Sequence, residues 1–139
     1  MSNVSTDIEV VGGPEDERFG MYIGDSRRFK EVLAQQFPEQ VDGNLVDVTV
    51  TSPPYADKKN YEADEDTQIG FGQTYDDYLE DLRSVYRQAY AVTKDSGTLW
   101  GAVNTIKKEQ RIVNIPFDIP DICEKIEGVE RCEECDDRL

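Results

Sequence analysis

The sequence predicts an α/β fold in which parallel strands are flanked by helices, and three observations carry that prediction. Short β-branched or aromatic runs alternate with helical patterns, the helical patterns are long enough to serve as crossovers, and clusters of glycine, proline and asparagine separate the two. Strands joined this way pair in parallel through right-handed crossovers, and ligands bind beyond the carboxyl ends of such strands. At 139 residues the chain suffices for one modest domain with one core, or part of one. It is too short for a catalytic domain plus a separate recognition domain.

Met1 to Arg18 is polar, carries Gly12-Gly13-Pro14 before Glu15-Asp16-Glu17, and reads as a loose leader. Phe19 to Ile23 reads as a strand ending in Gly24-Asp25, after which Phe29, Val32, Leu33 and Phe37 share one helical face. Pro38 stops that helix, Asp42-Gly43-Asn44 turns the chain, and the β-branched run Leu45 to Thr51 reads as a central strand leading straight into Ser52-Pro53-Pro54-Tyr55. Asp57 to Gln73 is charged, broken by Gly70 and Gly72, and too long for an ordinary connection, which predicts a functional loop or lid.

Tyr78, Leu79, Leu82, Val85, Tyr86, Ala89 and Tyr90 then recur at helical spacing, with Thr74 as the cap. Lys94-Asp95-Ser96-Gly97 ends this helix, Thr98 to Val103 reads as another strand, and Pro116 opens a last helix whose face is Ile119, Ile122, Cys123 and Ile126. The domain part therefore spans residues 19–127, and residues 128–139 form a polar tail where the domain reads as truncated.

The run Ser52-Pro53-Pro54-Tyr55 places a hydroxyl, a stiff carbonyl-bearing dipeptide and an aromatic face at a strand end. Read blandly, it is a stiff exit from a strand. Read chemically, it suits a conjugated exocyclic amine, whose lone pair is delocalised into a ring and becomes nucleophilic only when hydrogen bonds from its N–H groups pull it toward tetrahedral geometry. Ser52 Oγ and the Pro53 carbonyl are two adjacent acceptors, because proline keeps its C=O while lacking an N–H. Pro53 and Pro54 hold the segment extended, so the acceptors need little reorganisation. Tyr55 offers a face on which a base flipped out of a duplex stacks, worth about 1 to 3 kcal/mol.

In its setting, VDVTVTSPPYADKKNY, the motif resembles the signature of the DNA amino-methyltransferases of restriction-modification systems, in which Ser, Asp or Asn precedes Pro-Pro and Tyr or Phe at a strand end. Met21-Tyr22-Ile23-Gly24-Asp25-Ser26 upstream is similar to that family's strand ending in Gly-Asp, and Gly97-Thr98-Leu99-Trp100 downstream to its Gly-Thr-Leu-Trp strand. The resemblance implies a partial Rossmann-like methyltransferase sheet, S-adenosylmethionine as cofactor and DNA as partner. It also implies that Ser52, Pro53, Pro54 and Tyr55 act at the target amine. The Ser-Pro-Pro-Tyr form is the more usual one in cytosine-N4 enzymes, which favours cytosine over adenine N6. By the same analogy Asp25 accepts from the cofactor adenine; its alternative is a helix cap.

The family's other signature, Phe-x-Gly-x-Gly, is a glycine turn that approaches the methionine part of the cofactor, and the sequence has no such segment. Phe71-Gly72-Gln73 and Gly12-Gly13 do not sit between a predicted strand and a helix, and read as loop glycines. The order resembles enzymes in which the Ser-Pro-Pro-Tyr half comes first. The expectation is a fragment or one half of a split enzyme, with a second chain supplying the rest and weak cofactor binding alone; rival readings are a silent subunit and an acidic interaction module.

The charge bounds the partners. Thirty acidic against fifteen basic residues give −15, which argues against phosphate contacts unless the surface is salt-adapted, since phosphate binding rests on Lys and Arg. In molar salt the Debye length falls to about 3 Å and carboxylate repulsion is screened, so a haloarchaeal, halophilic source is expected. The start of the chain has no basic-then-apolar leader and no stretch approaches a spanning helix, so no membrane association and a cytoplasmic location are expected. Cys123, Cys132 and Cys135 are an odd, clustered set that predicts reduced thiols. Cys132-Glu133-Glu134-Cys135 is half a zinc spacing in a chain without histidine and reads as solvated tail, Cys123 being the only further thiol; no metal is expected. The acidic clusters Glu62 to Asp66, Asp76-Asp77 and Glu80-Asp81 read as solvated surface.

Overall fold

The computed structural model describes residues 9–12, 21–38, 45–56, 68–108 and 110–129. Among these, β1 (Glu9–Gly12) and β2 (Met21–Ile23) pair antiparallel and lead through a 3-10 turn, Ser26–Arg28, into α1 (Phe29–Gln36). Next come β3 (Val46–Thr51), α2 (Tyr75–Val92), β4 (Thr93–Gly101), the hairpin strands β5 (Ile106–Lys108) and β6 (Arg111–Val113), and α3 (Ile115–Glu124).

The helix α2 organises the rest. Thr74 caps it by accepting from the Asp77 N–H at 3.2 Å, and Asp76 and Asp77 lie in the first turn, where negative charge suits the helix dipole. Tyr78, Leu82, Tyr86 and Ala89 are buried, as the helical spacing predicts, and so is Val92; Tyr78, Leu82 and Tyr86 pack in one cluster with Ile115, Ile119, Ile122 and Ile126. Each large side chain in that interface contributes roughly 1.5–3 kcal/mol by leaving water. Leu79 and Val85 pack at its margin, while Tyr90 is exposed. Pro116 sits in the first turn of α3, where a missing N–H costs nothing.

The crossover β3–α2–β4 is the parallel unit expected: Val48, Thr49, Val50 and Thr51 pair with Thr98, Leu99, Trp100 and Gly101. The α/β class and its parallel pair with flanking helices are therefore present. A central β3 among parallel strands is not what the described residues show: β3 pairs only with β4 and leaves Val48 and Val50 exposed, β2 pairs antiparallel with β1, and three two-stranded sheets result. The expected leader contains β1, since its residues have a strand partner in β2 that composition does not reveal.

Two further expectations are corrected. Lys94 to Gly97 is not a turn outside the strand but a register irregularity within β4, which begins at Thr93. Gly97 is needed there because a Cβ would meet the Val46 and Lys94 carbonyl oxygens at 3.0 Å. The strand expected to reach Val103 ends at Gly101, and a hairpin follows that the sequence did not announce. Gln110 turns it at φ 63°, a left-handed position more usually held by Gly or Asn. No helix of the described residues is long and apolar enough to cross a membrane.

Candidate functional site

β3 delivers Ser52 to the carboxyl end of the parallel pair, and β4 runs alongside it. The pairing continues one step past the strand, where the Ala102 N–H donates to the Thr51 carbonyl at 2.9 Å. Ser52 is exposed, and its Oγ donates to the Ala102 carbonyl at 3.1 Å. That bond fixes where the hydroxyl proton points and leaves the oxygen's lone pairs to accept from a ligand.

The two prolines differ. The Pro54 carbonyl accepts a 2.9 Å hydrogen bond from the Tyr78 hydroxyl, which rises from the buried face of α2. Among the described residues no hydrogen bond reaches the Pro53 carbonyl. The arrangement thus leaves Ser52 Oγ and the Pro53 carbonyl as adjacent acceptors on one stiff segment. Tyr55 is half-buried with part of its ring against the core.

The turn Gln68 to Gln73 lies against this segment. Ile69 is buried in the core, and Gly70 adopts φ 87°, where a Cβ would meet the Tyr55 carbonyl oxygen and the Tyr78 ring at 3.2 Å each. Glycine allows both the backbone angle and the close approach. Asp57 to Thr67, the rest of the expected lid, and the acidic cluster Glu62 to Asp66 lie outside the described residues, as do Cys132 and Cys135. Burial pushes the half-buried Cys123 thiol up to about 11, which keeps it protonated near neutral pH.

Asp25 occupies the other predicted strand end. Its Oδ1 accepts from the Arg27 N–H at 2.9 Å and from Arg27 Nε at 3.0 Å, and Oδ2 receives Nε at 3.0 Å and Nη2 at 2.9 Å. Burial works against the charged carboxylate, but these hydrogen bonds outweigh it and hold Asp25 below the usual carboxylate range. Asp25 caps the 3-10 turn, the alternative the sequence left open. Four Arg27 contacts account for about the whole acceptor capacity of a carboxylate.

Asp81, expected as solvated surface, is half-buried. Its Oδ2 accepts from Gln73 Nε2 at 2.7 Å and pairs with Arg27 Nη1 at 3.3 Å, while Gln73 Oε1 accepts from the Gly70 N–H at 2.8 Å. One polar chain therefore runs from Asp25 to the turn beside Tyr55. Tyr78, Gly70 and Asp81 were missed as site residues because periodicity and composition identify a helix face or a loop, not the partner of a hydroxyl or carboxylate.

A cleft of about 440 Å³ adjoins Arg27, Gln73, Thr74 and Asp81, and an apolar groove of about 760 Å³ runs between β4 and α3 along Leu99, Trp100 and Ile119. Neither is lined by Ser52 to Tyr55; Ser52 is exposed, whereas Pro53 behind it is buried.

Comparison with known proteins bears on this geometry. The chain is 36% identical over 88 residues to the type II methyltransferase M.SfiI of Streptomyces fimbriatus, covering 63% of this chain and 18% of that protein. It is 36% identical over 67 residues to the type II methyltransferase M.SmaI of Serratia marcescens, covering 48% of this chain and 22% of that protein. The matches thus span about a fifth of either relative. No solved structure gives a significant match. Residues 46–130, more than half of the chain and including the Ser-Pro-Pro-Tyr exit, α2, β4 and α3, match the family model described as DNA methylase, and the chain belongs to this N6/N4 DNA methylase family.

Proposed function

We propose that this chain carries the target-amine half of a DNA methyltransferase acting on the N4 amino group of a flipped cytosine, with adenine N6 as the alternative. The observation that carries the reading is the pair of acceptors left at the end of β3, Ser52 Oγ and the Pro53 carbonyl, with Pro54 held from below. Ser52 and Pro53 would each accept one amino N–H, drawing the nitrogen lone pair out of the ring, and Tyr55 would hold the flipped base by stacking. S-adenosylmethionine would supply the electrophilic methyl group.

The described residues do not by themselves fit that cofactor. The sequence has no Phe-x-Gly-x-Gly turn, and Asp25 would accept from an adenine amino group only after Arg27 released it. This favours, as a second reading, a subunit that is silent until another segment or chain completes the cofactor site within a Rossmann-like sheet. DNA as partner is supported by the hairpin β5–β6, which exposes Lys107 and Arg111 in an otherwise acidic chain. In a halophilic, cytoplasmic setting the remaining carboxylates would be screened.

The test is methyl transfer from labelled S-adenosylmethionine to duplex DNA, by the chain alone and with a partner segment bearing the glycine turn, followed by nucleoside analysis. N4-methylcytosine is the expected product. N6-methyladenine would favour the alternative. Label in neither nucleoside under both conditions would favour the silent subunit.

A further inference from the structure

We propose that Tyr78 is a positioning residue for methyl transfer: its hydroxyl locks the Pro54 carbonyl so that the Pro53 carbonyl is the acceptor presented beside Ser52. This rests on the target-amine reading above. Pro54 restricts Pro53 to the extended region, but the ψ of Pro54 itself stays free, so Pro-Pro alone does not fix where the Pro54 carbonyl points relative to that of Pro53. The Tyr78 hydroxyl fixes it by donating to Pro54 at 2.9 Å from a ring with no exposed surface.

Two contacts hold the donor ring, and one of them is itself anchored by a hydrogen bond. The Tyr78 ring lies 5.8 Å from the Tyr75 ring, the Tyr75 hydroxyl donates to Asp118 at 2.6 Å, and Gly70 closes over the Tyr78 ring edge. The anchor is therefore tied to α3 on one side and to the Gln68 to Gln73 turn on the other. Burial, and secondarily the nearby Tyr55, pushes the Tyr78 hydroxyl up to about 12, so it remains a donor across the working pH range.

Tyr86, two turns along α2, supplies a matched control. It is equally buried, yet its hydroxyl has no hydrogen-bond partner among the described residues. Tyr78→Phe and Tyr86→Phe remove the same atom from the same helix face, and only the first loosens the strand exit.

The experiment measures amide hydrogen exchange at Tyr55 and Ala56 in the full chain, and kcat and KM in the completed enzyme. Tyr78→Phe is expected to speed exchange at those two amides about tenfold relative to α2 amides, the size a net hydrogen bond supports. It is expected to lower kcat about tenfold or more through misplacement of the acceptor, with KM for DNA changed less than twofold; Tyr86→Phe changes neither readout. Unchanged exchange at Tyr55 and Ala56 overturns the anchor. Faster exchange with unchanged kcat overturns its role in transfer. Faster exchange in a completed enzyme that transfers no methyl group supports the anchor and overturns the methyltransferase reading instead.

Discussion

Two strand exits carry the residues that sequence marks as functional, and they are built on opposite plans. At the end of β3 the polar groups that stiffen the segment come from elsewhere: Ala102 takes the Ser52 proton and Tyr78 takes the Pro54 carbonyl, so acceptors are left for a ligand. At the end of β2 the carboxylate is satisfied two residues away by Arg27. A motif held from outside stays available, whereas a motif that satisfies itself is a local staple. The same two residues, Asp25 and Arg27, nevertheless reach the first exit through Asp81 and Gln73, so the two ends are mechanically joined.

The most severe way to break this contrast is Ser52→Ala. In the completed enzyme it should lower kcat about 10² fold, as loss of one preorganised hydrogen-bonding group does elsewhere. Because Ser52 is exposed, the melting temperature should change by no more than a degree or two, with surface substitutions within about 0.5 kcal/mol. A full-rate Ser52→Ala enzyme would sink the acceptor pair.

Gly70→Ala tests the other support of that exit. Alanine would have to adopt φ 87° and crowd the Tyr55 carbonyl, at a cost of about 1–3 kcal/mol. Thermal unfolding measures it directly. A melting temperature equal to that of the natural chain would show that the turn does not press on the strand exit.

Asp25→Asn probes the second exit and should cost about 1 kcal/mol or less, since the pair is part-exposed and screened. The pH dependence has a definite sign. Asp25 is held below its unfolded value of about 3.9, so its contribution is complete above that value and fades as pH falls through the lower folded value. The difference in stability between the natural chain and Asp25→Asn should therefore narrow below about pH 4. A difference that stays constant from pH 7 down to pH 3 would remove the Arg27 staple from the account.

The sequence carries the first exit better than the second, for reasons that lie in particular residues. The stripe Tyr78 to Ala89 and the face Ile119 to Ile126 are periodic signals whose burial follows periodicity, whereas the β-branched run before Ser52 forms its strand but leaves Val48 and Val50 exposed. Long-range or exceptional features leave no such trace. Lys94 to Gly97 has turn composition but is absorbed into β4 as an irregularity, and the hairpin turns at Gln110 without the Asn-Gly pair that marks such a turn. Asp81 looks like any exposed helical carboxylate until Arg27, distant in sequence, is placed beside it. Residues that work through a partner are legible only once the fold supplies the partner.

The smallest effect is expected at Tyr86, and its sign is informative. The hydroxyl is buried without a hydrogen-bond partner among the described residues, and burial pushes its ionisation well above the ordinary tyrosine value. Tyr86→Phe deletes a group that has lost its hydration without gaining a bond, so the change should be neutral or stabilising by about 1 kcal/mol at most. Tyr78→Phe, by contrast, leaves the Pro54 carbonyl without its donor and should destabilise by about 0.5–1.5 kcal/mol. Opposite signs in paired denaturant titrations would show that α2 spends one tyrosine on packing and the other on holding the strand exit. A comparable loss in both variants would mean that the Tyr86 hydroxyl is satisfied after all, and the helix would then brace the site at two points rather than one.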